Sequence, residues 1–243
     1  MTSLRKTALV GGILYLVTFL GSIPAALAVA PADKASYVTG AGSDTQVAFG
    51  LVLELINVFG CIGCGVAFFS VVRRVHEGLA IGYVTTRLFE AVTITTGVIS
   101  LLALITLRQE GAAAGTAETL LPVASGLVAI RHWAMMLGPN MAAFNALMLG
   151  TALYRARLVP RALPALGLIG SPILIAYAIA SILGLHVEGT IFQAIAVFPF
   201  FFWELFLGLW LTFKGFNEHS PLGLAERARV ARSSGIVAQG GVA

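Results

Sequence analysis

The sequence predicts an all-α polytopic integral membrane protein, a bundle of six transmembrane helices. Three observations predict it. Of the 243 residues, 58% are apolar and only 11% are charged, where soluble domains carry about a quarter of charged residues. The mean hydropathy is +0.93. Six separate stretches also reach the roughly 20 apolar residues needed to cross a ~30 Å hydrocarbon core. The charged shell of a soluble globule cannot be built from this composition. An ordinary cytosolic enzyme, a disordered chain and a nucleic-acid binder with a basic face are thereby excluded.

The spans fall at 7–30, 47–72, 79–107, 132–154, 163–183 and 190–213. The first follows Arg5 and Lys6 in the manner of a secretory signal. Its apolar run is longer than the ~7–15 residues of a signal core, and Pro31 follows the candidate cleavage site, so a retained helix is expected. The second and third spans are joined by the tight turn Arg73 to Gly78. Arg108 to Arg131 reads as a long Ala/Gly-rich connection into the fourth span, and Arg155 to Arg161 and Gly184 to Gly189 bound the fifth. Residues 1–217 form one six-helix domain, and 218–243 a cytoplasmic tail, disordered or a surface helix.

The positive-inside rule orients the bundle. With the N-terminus in the cytoplasm, Arg5, Lys6, Arg73, Arg74, Arg155, Arg157, Arg161, Lys214, Arg227, Arg229 and Arg232 all lie inside. Lys34, Arg108 and Arg131 lie outside, and Arg87 within a span. Both termini are therefore expected in the cytoplasm. Topology accounts for the basic residues, and no nucleic-acid partner is expected.

Ionisable residues inside a span cost ~2.5–3.5 kcal/mol on insertion scales and usually face the bundle interior. The chain has Glu54, Arg87, Glu90 and Glu204. At ~100° per residue, Gly50, Glu54, Asn57, Cys61 and Cys64 share one face of the second span. Tyr83, Thr86, Arg87, Glu90 and Gly97 share a face of the third, Gln193, Glu204 and Gly208 one of the sixth, and His132, Met136 and Asn140 one of the fourth. At ~1.5 Å per residue, Arg87, Glu90, Glu204 and Asn145 lie in one layer near the midplane, with Glu54 nearer the outer surface. One arginine cannot neutralise two carboxylates. Either the second carboxyl holds a proton or the layer lines a cavity that solvates it. Gly97 and Gly208 are expected to leave that space, Pro172 to interrupt its helix at that depth, and the cytoplasmic side to be the entrance.

The other candidates are weaker. Pro139, Pro172 and Pro199 sit inside the last three spans, which transmembrane helices tolerate. Cys61 and Cys64 have redox spacing without a cation to activate a thiol, so packing is the better reading. His132 and His186 lie near the outer face, with no HExxH or CxxCH pattern to support a metal or haem. No catalytic residue, metal site or cofactor is expected.

Several motifs form a recognisable set: Arg87-Leu-Phe-Glu90-Ala91, Arg157-Leu-Val-Pro160-Arg161 running into Leu166-Gly-Leu-Ile-Gly170, Glu204-Leu205 with Trp210-Leu211, and Lys214-Gly215-Phe216-Asn217. Together with Arg5-Lys6 and Gly11-Gly12-Ile13-Leu14-Tyr15-Leu16, the chain resembles the bacterial membrane-protein family named domain of unknown function 4386, from about residue 5 to 217. The resemblance implies a multi-span protein of the bacterial inner membrane and carries over no activity, cofactor or substrate. Glu54 and the cysteines are not among its motif positions. The function expected is a transporter-like bundle that handles a small ligand or a proton, with Arg87, Glu90, Glu204, Asn145, Asn140 and Glu54 as binding residues. The alternative is a non-catalytic interaction or accessory protein whose buried charges only fix packing, and an intramembrane enzyme ranks third. The expected partners are the lipid bilayer and a small molecule or proton; no oligomeric state is read from the sequence.

Overall fold

The computed structural model describes residues 3–40, 42–185 and 188–240. The described residues form helices and turns with no strand. Six of these helical units are long and apolar enough to cross a membrane. The first three spans are α1 (Ser3–Val29), α2 (Asp44–Val72) and α3 (Glu77–Ala114). The fourth is divided into α4 (Leu121–Asn140) and α5 (Ala142–Ala156), and the fifth and sixth are α6 (Ala162–Ile182) and α7 (Ile191–Phe213). The tail carries a further helix, α8 (Pro221–Gly240), beside which Arg74 pairs with Glu226 at 3.0 Å. His186 lies outside the described residues.

The long connection expected between Arg108 and Arg131 is instead mostly helical. Its Ala/Gly composition reads as a loop, yet alanine is the best helix former, and α3 runs on to Ala114 before α4 begins at Leu121 with Pro122 in its first turn. Arg131 is therefore not a loop residue but a buried side chain of the fourth span, 4% exposed. Pro172 does not interrupt its helix either, since α6 continues through it. The one divided span is the fourth, at Met141 just after Pro139.

The spans close into a ring. Each packs against its neighbour in the chain, and α1 completes the circuit against α7. The large exposed side chains, among them Leu27, Phe59, Val66, Ile99, Phe198 and Phe213, point outward, as in a lipid-facing surface. The division of the fourth span shapes the interior. α5 packs between α3 and α6, whereas α4 stays against α3 and barely meets α6. The half of the ring near the termini is thus filled, and the other half is open between α4 and α6.

Each end is tied by an arginine. At the end holding both termini, Arg5 donates from Nη1 to Leu211 O (3.1 Å) and from Nη2 to Thr212 O (3.0 Å), satisfying carbonyls that the last turn of α7 leaves unbonded. Gly215, at φ +78°, turns the chain beneath that guanidinium, and a Cβ there would lie 2.7 Å from Arg5 Nη1. Phe216 then packs on Phe68, and Asn217 N donates to Leu158 O at 2.7 Å. At the opposite end, Arg108 bonds Asp44 Oδ1 (2.5 Å) and the carbonyls of Gly40 and Gly42 (3.0 Å each), and stacks on Tyr37 with Cζ 4.4 Å from the ring centroid.

α1 and α7 approach closely at Gly12, where a Cβ would meet Thr212 N at 2.6 Å and Gly208 O at 3.0 Å, both backbone atoms. Small residues permit such crossings in membranes. Gly12→Ala is expected to push the helices apart and lower stability by ~1–3 kcal/mol, the usual cost of overpacking. Gly126→Ala, on α4 with nothing within 4 Å of its Cβ, is expected to be neutral or stabilising by up to ~1 kcal/mol. Thermal unfolding of the two variants in detergent checks both.

Candidate functional site

The interior holds two separate charged clusters. The first lies at mid-depth and is built on Arg87. Its helix places Tyr83, Arg87 and Glu90 on one face by the 3.6-residue period. Arg87 Nη1 donates to Glu90 Oε2 at 3.0 Å and to Cys61 Sγ at 3.8 Å, and Nε to the Tyr83 hydroxyl at 3.3 Å. Nη2 is buried without a hydrogen bond among the described residues, and lies 3.5 Å from Glu204 Oε1. The guanidinium carbon lies over the Tyr15 ring, with Cζ 4.8 Å from the ring centroid. A desolvated cation over an aromatic face contributes ~2 kcal/mol or more. Asn145 extends the cluster. Its Nδ2 donates to Glu90 Oε2 (2.7 Å), while its Oδ1 accepts from Thr86 Oγ1 (2.5 Å).

The exposures within this cluster are unequal. The Arg87 side chain is 2% exposed and that of Glu90 8%, but Glu204 is 20% exposed. Arg87 and Glu90 are therefore enclosed by protein, and Glu204 is the charged group that faces open space.

That space is a cavity of about 580 Å³, within the ~300–1,000 Å³ of small-molecule sites. Arg87, Glu90 and Glu204 form its floor, and its walls include Ile94, Val128, Leu174, Phe200 and Phe201. Asp33, His132 and Glu188 form its rim at the end of the bundle opposite the termini. The entrance expected from the side of the termini is thus corrected. On that side Tyr15, Phe68 and Tyr83 pack ring against ring and Phe216 covers Phe68, so the way is plugged. The expectation that glycines open the space is corrected as well. Arg131 Nη1 fills the room beside Gly97, 3.0 Å from where a Cβ would stand, and Leu16 and Tyr15 fill that beside Gly208.

The second cluster joins α2 to α4. Arg131 donates from Nη1 to Glu54 Oε2 at 2.7 Å and from Nη2 to Glu54 Oε1 at 2.5 Å, a two-pronged pair with both residues buried. Its Nε lies 3.5 Å from Asp33 Oδ1. Burial pushes the Asp33 carboxyl above its ordinary range, with Arg131 opposing the shift. His132 meets Glu188 at 3.5 Å on the rim. Of the residues expected to bind, Arg87, Glu90, Glu204 and Asn140 line the cavity, and Asn145 supports it from behind Glu90. Glu54 stands apart, engaged with Arg131. Among the described residues no group of three or more His, Cys, Asp or Glu side chains is placed to hold a metal ion.

Sequence reasoning missed the Glu54–Arg131 pair because it assigned Arg131 to a loop. The available signal was Glu54 itself, a buried carboxylate needing a cation at the end of the bundle opposite Arg5. It also gave Tyr15 no role, because α1 has no polar stripe.

These features define a helical membrane protein with a polar interior site. The chain matches the family described as a domain of unknown function, DUF4386, over residues 10–215, and belongs to it. No curated protein and no solved structure matches it.

The cluster geometry sets an expectation for substitutions. Removing one partner of a buried ion pair costs ~3–5 kcal/mol because the other charge is stranded, whereas removing both costs much less. Arg131→Met and Glu54→Leu are each expected to lower the unfolding temperature sharply, and the double variant to recover most of the loss. The Arg87→Leu variant is expected to fold poorly, with partial rescue by Glu90→Gln. Independent, additive losses across the Glu54/Arg131 cycle would sink the interpretation.

Proposed function

We propose that the chain is a transporter-like or small-ligand-binding protein of the bacterial inner membrane, not an enzyme. Both termini lie in the cytoplasm, and the site opens toward the periplasm. The observation that carries the reading is the 580 Å³ cavity that ends at mid-depth on Arg87, Glu90 and Glu204. Ionisable groups are costly in a membrane interior and mark substrate or proton pathways. Here one of them, Glu204, faces a chamber too large, at about 580 Å³, to be a packing defect. A bundle built only for packing would close that chamber with side chains. The Glu54–Arg131 pair is the contrast: buried, doubly bonded and reaching the cavity only through Asp33 at its rim, it acts as a lock between α2 and α4.

The orientation rests on charge. With Arg131 and Arg87 inside spans, eleven Lys and Arg residues fall on the side of the termini, and only Lys34 and Arg108 on the other. A reporter fused after residue 243 is expected to be active only when it is a cytoplasmic reporter, and periplasmic activity would overturn the orientation.

Native mass spectrometry of the protein in mild detergent tests the binding role. The expected result is a retained non-lipid small molecule that is lost from Ala142→Phe and Val128→Trp, both substitutions in the cavity wall. A bare protein whose folding and interactions are indifferent to filling the cavity would favour the accessory reading.

A further inference from the structure

We infer that the cavity selects a small organic cation, an amine or quaternary ammonium group on an apolar body, and that Glu204 is its counter-ion. The inference rests on the binding role proposed above and adds the ligand's chemical class.

Charge comes first. Four carboxylates line the cavity, Asp33 and Glu188 at the rim and Glu90 and Glu204 at the floor, against the single guanidinium of Arg87 and the imidazole of His132. That guanidinium is not offered to a ligand. Its Nη1 and Nε are spent on Glu90, Cys61 and Tyr83, its Nη2 is buried 3.5 Å from Glu204 Oε1, its Cζ lies over the Tyr15 ring, and its side chain is 2% exposed. An entering anion would pass two rim carboxylates and then meet Glu204 before reaching Arg87. An entering cation meets the half-exposed carboxylates of Asp33 and Glu188, each shared with a basic neighbour, Arg131 or His132, and then the open edge of Glu204, and low-dielectric walls focus such a field.

The shape and surface of the cavity add the apolar body. A proton alone needs neither a chamber of about 580 Å³ nor its apolar lining. Phe19, Phe200, Phe201 and Tyr177 contribute aromatic surface to the walls. Aromatic faces attract cations, quaternary ammonium groups above all. Glu204 supplies the remaining need. It shares Arg87 with Glu90, at 3.5 Å against 3.0 Å, and keeps an exposed edge toward the cavity. A ligand cation at that edge completes the neutralisation of two carboxylates that one arginine leaves unfinished.

The test is calorimetric titration of the full chain in nanodiscs of neutral phosphatidylcholine. Three probes of similar size are used: benzyltrimethylammonium, its uncharged carbon isostere neopentylbenzene, and the anion phenylmethanesulfonate. Benzyltrimethylammonium is expected to bind at least about tenfold tighter than the isostere, with no detectable binding of the sulfonate, a factor equal to ~1.4 kcal/mol. Glu204→Gln is expected to remove the advantage of the cation and leave the isostere's affinity unchanged. Glu188→Gln, at a position 44% exposed on the rim, is expected to weaken cation binding at low ionic strength and not at high. Equal or tighter binding of the isostere or the sulfonate would overturn the cation preference while leaving a ligand-binding cavity. Absence of binding by all three probes to the folded protein would overturn both.

Discussion

The structure depends on the burial of one guanidinium at mid-membrane. Arg87 cannot reach water, so its charge must be met from within the bundle. Five spans contribute to that task. Glu90 and Tyr83 come from its own helix, Tyr15 from α1, Cys61 from α2, and Glu204 from α7, while Asn145 of α5 braces Glu90. The ring closes around this point because several helices must each present a polar or aromatic group to the same spot. α6 gives no polar group to the cluster, and it is also the helix from which α4 separates to leave the cavity open.

The two charged clusters are built on the same chemistry, one arginine between two carboxylates, and differ in depth. Glu54 and Arg131 pair through two short hydrogen bonds and hold α4 to α2, and Asp33 lies 3.5 Å from the remaining nitrogen. That spare carboxylate sits at the cavity rim, 46% exposed, where solvent reaches it. In the Arg87 cluster the spare carboxylate, Glu204, lies at mid-depth and is 20% exposed. Excess charge beside open volume is unfavourable unless water, a proton or a ligand completes it. The place of the spare carboxylate, deep in the bundle beside open volume rather than at a solvated rim, separates the site from the lock.

Much of this is legible in sequence because a transmembrane helix displays its inward face through periodicity. The stripe Tyr83, Thr86, Arg87 and Glu90, and the depth that puts Glu204 and Asn145 in the same layer, follow from 100° and ~1.5 Å per residue. The reasoning failed where a residue type has two physical meanings. Glycine on an inward stripe marks either a void or a close approach, and Gly97 and Gly208 are approaches occupied by Arg131, Leu16 and Tyr15. An arginine beside an Ala/Gly-rich segment looks like a loop anchor, and Arg131 is a buried ion-pair partner. The side of entry was hidden for another reason. Depth from one end does not say which end is sealed, and the seal is an aromatic cluster assembled from Tyr15, Phe68, Tyr83 and Phe216, four residues on three helices and a loop.

The divided fourth span links the fold to the cavity. Pro139 has no N–H to donate, so the carbonyl of Met135 loses its helical partner. At Met141 the helix tightens without parting: its N–H is shared between Leu137 O (3.2 Å) and Gly138 O (2.9 Å). Freed backbone groups are tolerated at this depth only where protein or a polar cavity can receive them. Asn140 adds a polar side chain there, donating back to the carbonyl of Met136, the residue next to the freed Met135 carbonyl. Met135, Met136, Pro139 and Asn140 all line the cavity, so this turn faces the open space rather than lipid. Straight helices that cross at an angle also diverge along their length, so the departure of α4 from α6 needs no break. What the proline adds is chemistry. It frees a carbonyl at Met135, a residue that lines the cavity, and Asn140 sets a polar side chain one turn on, so the fourth span brings polar surface to the open space in a stretch that is otherwise apolar.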